Sequence, residues 1–139
     1  ITQRHKQENN GRNVMERSEY VENRLLRIGA TPEYVGYPYL LDSILLVWDK
    51  PEAGRNITTQ VYPAIAQRWG VSAASVERSI RTLIAALWQD QDRRALGQLL
   101  GRDYETPPGN SKFIGVAACR LRMFYRGGGE ATGRMDGTA

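Results

Sequence analysis

Glu77, Arg78 and Arg81 stand in one short run, Ser75-Val76-Glu77-Arg78-Ser79-Ile80-Arg81. A guanidinium offers two parallel N–H donors that match O6 and N7 of guanine. A carboxylate can accept from the exocyclic amine of cytosine. Spread over about one turn of helix, the three side chains could meet base edges together if a protruding helix carried them. Glu77 and Arg81 also have the i,i+4 spacing of an ion pair on a solvated helix face, worth about 0.2–0.5 kcal/mol. The two roles are compatible, because such a pair would hold Arg81 in place until DNA arrives. Just upstream, Ser72 precedes Ala73 as a helix cap, and the free amides of a helix start suit a phosphate.

Other chemistries find little material. The single histidine, His5, lies in a polar stretch, and the single cysteine, Cys119, has no partner for an internal disulfide. A structural zinc site wants four Cys or His ligands, so no metal is expected. Cys119 follows Val116-Ala117-Ala118 and reads as a small buried apolar residue, as free cysteines often are. No glycine-rich phosphate loop is present, and Asp90 and Asp92 read as loop acids. No catalytic residues and no cofactors are therefore expected. No apolar stretch approaches the roughly 20 residues of a membrane helix, and the polar, basic start is not a secretory leader. A reducing cytoplasm is the expected compartment. Ile1 in place of an initiator Met is expected of a fragment or a processed chain.

The formal charge of +4 is modest, but its distribution is uneven. Residues 55–82 carry four Arg against one Glu, and residues 112–126 carry Lys112, Arg120, Arg122 and Arg126 with no acid. Two basic segments on an otherwise balanced chain suit a polyanion. Two solvated helix faces would look the same by charge alone.

The elements that must position these groups read as helices. Val14, Val21, Leu25 and Ile28 fall on one helix face, which Gly29 ends and Thr31-Pro32 separates from the next. A helix from Tyr37 or Pro38 carries Leu40, Leu41, Ile44, Leu45, Val47 and Trp48. Being apolar on more than one side, it should be the central one. Asn56 or Thr58 can cap the next helix, whose inner stripe is Val61, Ile65 and Trp69. Pro63 requires that it start near Tyr62 or kink there. After Gly70-Val71 a long helix runs from Ala73 to about Gln89, with Val76, Ile80, Leu83, Ile84 and Leu87 inward. A short helix follows, with Leu96, Leu99 and Leu100 stopped by Gly101. The last helix is capped by Asn110 or Ser111 and carries Phe113, Ile114, Val116, Ala117, Leu121 and Phe124. Trp69 and Trp88 are expected in the core. Residues 1–13 read as a linker or frayed arm, 14–126 as one domain, and 127–139, beginning Gly127-Gly128-Gly129, as a disordered tail. The fold class is all-α, a compact bundle of about six helices.

The segment from Ile65 to Arg81 has the parts of a helix-turn-helix, at roughly residues 57–89. Ala66 is small where two helices would cross, and Gly70 tolerates the positive φ of a tight turn. Val71 plugs the turn, Ser72 caps the second helix, and Val76 and Ile80 anchor it. An ordinary helical hairpin would need only the glycine. Arg78, Arg81 and Thr82 then fall on the outward face, with Ser75 and Glu77 on its flanks, where a recognition helix touches bases.

These residues resemble the C-terminal effector domain of the master response regulator of sporulation initiation. The likeness runs from about Tyr37 to Phe124. It is carried by Gly36-Tyr37-Pro38-Tyr39-Leu40, Ile57-Thr58 with Val61-Tyr62-Pro63-Ala64-Ile65-Ala66, Ser75 through Trp88, and Asn110-Ser111-Lys112-Phe113-Ile114. The resemblance implies a six-helix domain that binds a short double-stranded DNA box as a tandem dimer. It also implies control by a phosphorylated receiver domain, as in a two-component system, and the RNA polymerase sigma subunit as a candidate contact. Glu77, Arg78 and Arg81 match the base-reading triplet. Asn110, Ser111 and Lys112 match a segment near the DNA backbone, where Thr58, Ser72, Ser75 and Thr82 are also expected. Ser75 replaces a basic residue and Thr82 a common histidine of the family, which implies weaker affinity or altered flanking preference. The alternative is a helical protein-interaction module, a diverged paralogue or anti-activator, that keeps the shape without the DNA grip.

Overall fold

Apolar residues at helical spacing become six α-helices in the computed structural model, which describes residues 16–90 and 92–125. Helix α1 covers residues 16–27, followed by α2 (Tyr37–Asp49), α3 (Tyr62–Trp69), α4 (Ala73–Leu87), α5 (Arg94–Leu100) and α6 (Asn110–Phe124). No strand occurs among the described residues. The fold is all-α, as the periodicity indicated. Val14, the arm at 1–13 and the Gly-rich tail at 127–139 lie outside the described residues.

Helix α2 is the centre of the bundle. Its Tyr37, Tyr39, Leu40, Ser43, Ile44, Val47 and Trp48 are buried, and it packs against α3, α4 and α6. Opposite it, α4 inserts Val76, Ile80, Leu83, Ile84 and Leu87, and α6 inserts Phe113, Ile114, Ala117, Ala118 and Leu121. Each large side chain removed from water contributes roughly 1.5–3 kcal/mol before the entropy of ordering is set against it. Trp88 lies edge-on to Phe113 at 6.2 Å and Tyr125 edge-on to Trp48 at 5.4 Å, closing the two ends of α6.

Helix ends follow local chemistry. Gly29 takes φ +91°, and the amides of Gly29 and Ala30 return to the carbonyls of Leu26 and Leu25 at 3.0 and 2.9 Å, ending α1 with these two of its terminal carbonyls satisfied. Between α2 and α3 the chain makes a 3-10 turn (Pro51–Arg55) and a wide π-type turn (Ile57–Val61). Pro63 explains the second. It sits at the start of α3 and has no N–H to give to the preceding turn, so the regular ladder begins only at Tyr62. Neither Asn56 nor Thr58 caps this region with its side chain, and α6 begins after Gly109 with no side-chain cap, contrary to expectation.

Two residues lie elsewhere than expected. Cys119 is exposed. On α6 it falls nearly opposite the stripe of Phe113, Ile114, Ala117, Ala118 and Leu121, so its small apolar neighbours did not imply its own burial. Trp69 is 44% exposed. It is the last residue of α3 and shares the stripe of Ile65, but the core ends before reaching it. Its ring packs edge-on to Tyr39 at 6.2 Å and its Nε1–H donates to Asp42 at 2.8 Å.

Candidate nucleic-acid interface

The pair α3–α4 turns on two residues. Gly70 takes φ +67°, ψ +37°, a left-handed conformation, and the Val71 amide closes on the Ala66 carbonyl at 3.0 Å. Val71 is half-buried against the core, as the plug requires. Ser72 then caps α4: its Oγ accepts from the Ser75 amide at 3.0 Å and its hydroxyl donates to Ser75 Oγ at 3.0 Å. Asp42 clamps the other side of the unit, taking the Trp69 indole N–H and approaching Arg68 Nε at 3.5 Å. A short turn, direct packing of α4 on α3 and an exposed outer face fit a helix-turn-helix.

The outer face of α4 holds the base-reading candidates. At 100° per residue, Arg78 lies opposite the centre of the buried stripe, with Ala74, Arg81, Thr82 and Ala85 around it. All five are exposed. Arg78 forms no ion pair among the described residues. Arg81 Nε lies 3.5 Å from Glu77 Oε2, with the two side chains 64% and 38% exposed. Among the described residues no acid from another helix holds either arginine, so both guanidinium groups face outward for an outside partner. Glu77 lies on the flank between this face and the core.

The backbone candidates divide. Ser72 and Ser75 sit at the start of α4 and Thr82 on its outer face, so these three join the arginines. Ser111 and Lys112 are exposed in the first turn of α6, with Ser111 Oγ donating to the Gly54 carbonyl at 3.5 Å. Thr58 is exposed on the π-type turn before α3, away from α4 in sequence and without a side-chain hydrogen bond of its own.

Asn110 has an inward role. It is buried, and its Nδ2 donates to the Tyr62 hydroxyl at 3.1 Å and to the Glu77 carbonyl at 3.0 Å. Both amide hydrogens are spent inside the protein, tying α6 to α3 and to the middle of α4. Its side chain is therefore a positioning group for the segment that follows. Burial pushes the Tyr62 phenol above its ordinary value. The Asn110 bond opposes that shift, Glu77 adds to it and Arg81 offsets it. Sequence spacing gave no sign of this link, because its partners lie 33 and 48 residues from Asn110. Asn110→Ala should lower unfolding stability by about 1–3 kcal/mol, the cost of orphaning buried polar atoms. Denaturant titration measures it, and a loss below a few tenths would show the link to be dispensable.

Gly36 is the other residue that spacing did not single out. It is buried where α2 starts, and a Cβ built there would lie 2.3 Å from the Ser79 carbonyl oxygen of α4. Only a glycine lets α2 approach α4 this closely.

A family model described as the C-terminal part of the sporulation initiation factor Spo0A matches residues 21–121. The chain belongs to this family. The Spo0A C-terminal family is a DNA-binding effector domain tied to transcription regulation and sporulation, not a family of enzymes. The matched span takes in α2 to α5 entire, with the α3–α4 unit, and most of α6. DNA binding is therefore the activity of the family to which the exposed arginine face belongs. Among the described residues no group of three His, Cys, Asp or Glu side chains could hold a metal ion. No helix among them is long and apolar enough to cross a membrane.

Proposed function

We propose that this chain is a sequence-specific transcription regulator that places α4 in the major groove of double-stranded DNA. Glu77, Arg78 and Arg81 meet base edges. Ser72, Ser75, Thr82, Ser111 and Lys112 meet the sugar-phosphate backbone, Thr58 contributes at its edge, and Asn110 holds the start of α6 in place for them. The single observation that carries this reading is Arg78: an exposed guanidinium, without an ion pair among the described residues, at the centre of the outward face of a helix whose other face is core. An arginine so placed has no structural task in the fold. It can supply the fork that recognises guanine.

The reading extends to a tandem dimer on DNA, to contact with the RNA polymerase sigma subunit, and to control by a phosphorylated receiver in the bacterial cytoplasm. Membership of a DNA-binding effector family supports these extensions, which go beyond the DNA binding of the family itself.

Selection of bound duplexes from a random pool tests the proposal. One short enriched box, especially as a repeat, is the expected result. Affinity for that box should fall with salt, with a log–log slope of about −0.9 per phosphate neutralised. Binding without sequence enrichment, or no binding at low salt, overturns it. A protein partner captured at high salt together with absent DNA binding would favour an interaction module instead.

A further inference from the structure

The loop between α5 and α6 carries a cationic cluster built on one aromatic ring. The Arg102 guanidinium carbon lies 4.7 Å from the centroid of Tyr104, and Lys112 Nζ lies 5.5 Å from the same ring. Both cations are exposed. Neither forms an ion pair among the described residues. The acids nearest in sequence do not neutralise them: Asp103 faces Arg93 Nε at 3.4 Å, and Glu105 is exposed and pairs with neither. Two like charges held on one ring repel each other. Two cations near one ring gain from an anion that approaches them both.

The loop is also fixed in place. Arg120 donates to the carbonyls of Leu99 and Gln98 at 3.0 and 3.3 Å, holding the end of α5 where Gly101 turns with φ +82°. The Trp88 indole N–H donates to the Tyr104 carbonyl at 2.8 Å, tying the ring-bearing residue to the end of α4. At the far end, Asn110 binds the Glu77 carbonyl. Pro107, Pro108 and Gly109 run between these anchors beside Arg81 and Ala85 of α4. The cluster thus rides on a wing bolted to both halves of the recognition helix. The first turn of α6, where Lys112 stands, has neither a side-chain cap nor an acid to occupy its free amides.

We propose that Arg102, Tyr104 and Lys112 form a second grip on DNA, closing on the sugar-phosphate backbone beside the groove that α4 enters. The inference rests on the reading of α4 as the recognition helix and adds two residues, Arg102 and Tyr104, that no motif singles out. Tyr104 acts by keeping both cations against one ring, at 4.7 and 5.5 Å from its centroid. The grip adds affinity without base preference, because phosphates are the same at every step.

The test compares Arg102→Ala, the double variant Arg102→Ala with Lys112→Ala, and Tyr104→Leu, which keeps bulk and loses the ring. Each is titrated with the box obtained by selection and with a scrambled duplex over a range of potassium chloride concentrations. Circular dichroism and thermal melting confirm that each variant folds. Arg102→Ala should bind both duplexes roughly 3–10-fold more weakly. Its salt slope should be smaller by about 1, and that of the double variant by about 2. The ratio between box and scrambled duplex should stay constant. Tyr104→Leu should weaken both duplexes in the same proportion. Unchanged salt slopes in Arg102→Ala and the double variant, with wild type still selecting its box, overturn the second grip and leave α4 as the reader. Wild type that binds neither duplex overturns both. If Tyr104→Leu unfolds, the two cation variants decide alone, since exposed side chains carry no core packing.

Discussion

Gly36→Ala should cost about 1–3 kcal/mol of unfolding stability, the usual range for forcing an extra methyl into a packed site. The added Cβ would lie 2.3 Å from the Ser79 carbonyl oxygen, 2.7 Å from its carbon and 3.2 Å from the Ile80 amide nitrogen. All three are backbone atoms of α4, so no side-chain rotation relieves the clash. The start of α2 must move away from α4, and α2 is the helix on which α3, α4 and α6 converge. Thermal melting should show a midpoint lower by roughly 4–12 °C. Gly115→Ala is the control with the opposite sign. A Cβ at Gly115, inside α6, meets nothing within 4 Å. Replacing a mid-helix glycine there should stabilise by about 0.5–1 kcal/mol, because alanine loses less backbone freedom. Equal stability of Gly36→Ala and wild type would mean that α2 and α4 are less closely fixed than their geometry requires.

The contrast between these two glycines shows what the sequence could and could not reveal. Gly70 and Gly101 were legible as turns because each ends a run of apolar periodicity, and both take positive φ. Ser72 was legible as a cap because its partner amide lies three residues away. The inward stripe of α4 followed from spacing alone, and with it the outward position of Arg78. Each of these is decided by neighbours within one or two turns. Gly36, Asn110 and Tyr104 are decided by contacts 43, 33 and 16 residues distant, with Ser79, Glu77 and Trp88. Nothing local distinguishes them from ordinary loop and cap residues. Trp69 and Cys119 show a third case. Periodicity gives direction around a helix but not depth along it, so a tryptophan on the right stripe can still overhang the edge of the core. Conversely, a cysteine beside buried alanines can point outward.

Arg78→Ala should weaken binding to the selected box by about 1–3 kcal/mol, which is roughly 5–150-fold, and flatten base preference at one position. Arg78→Lys separates the two contributions of the side chain. Lysine keeps the charge on a flexible stem but loses the planar fork that matches a guanine edge. If Arg78 reads a base, the lysine variant should retain most of the salt slope and lose most of the preference. If Arg78 only neutralises phosphate, the lysine variant should behave as wild type in both, and base reading by this residue would be refuted. Glu77→Ala supplies the complementary sign. Glu77 is an acid beside a polyanion, and it lies 3.5 Å from Arg81 Nε. Its removal takes away a repulsion, so binding to a scrambled duplex should hold or tighten. Discrimination within the box should fall, because the acceptor for a cytosine amine is gone. Arg78→Ala lowers both affinity and selectivity, whereas Glu77→Ala lowers selectivity alone. Adjacent residues of opposite charge can give that pair of results only if α4 lies against base edges, since a helix held at the phosphates would respond to charge and to nothing else.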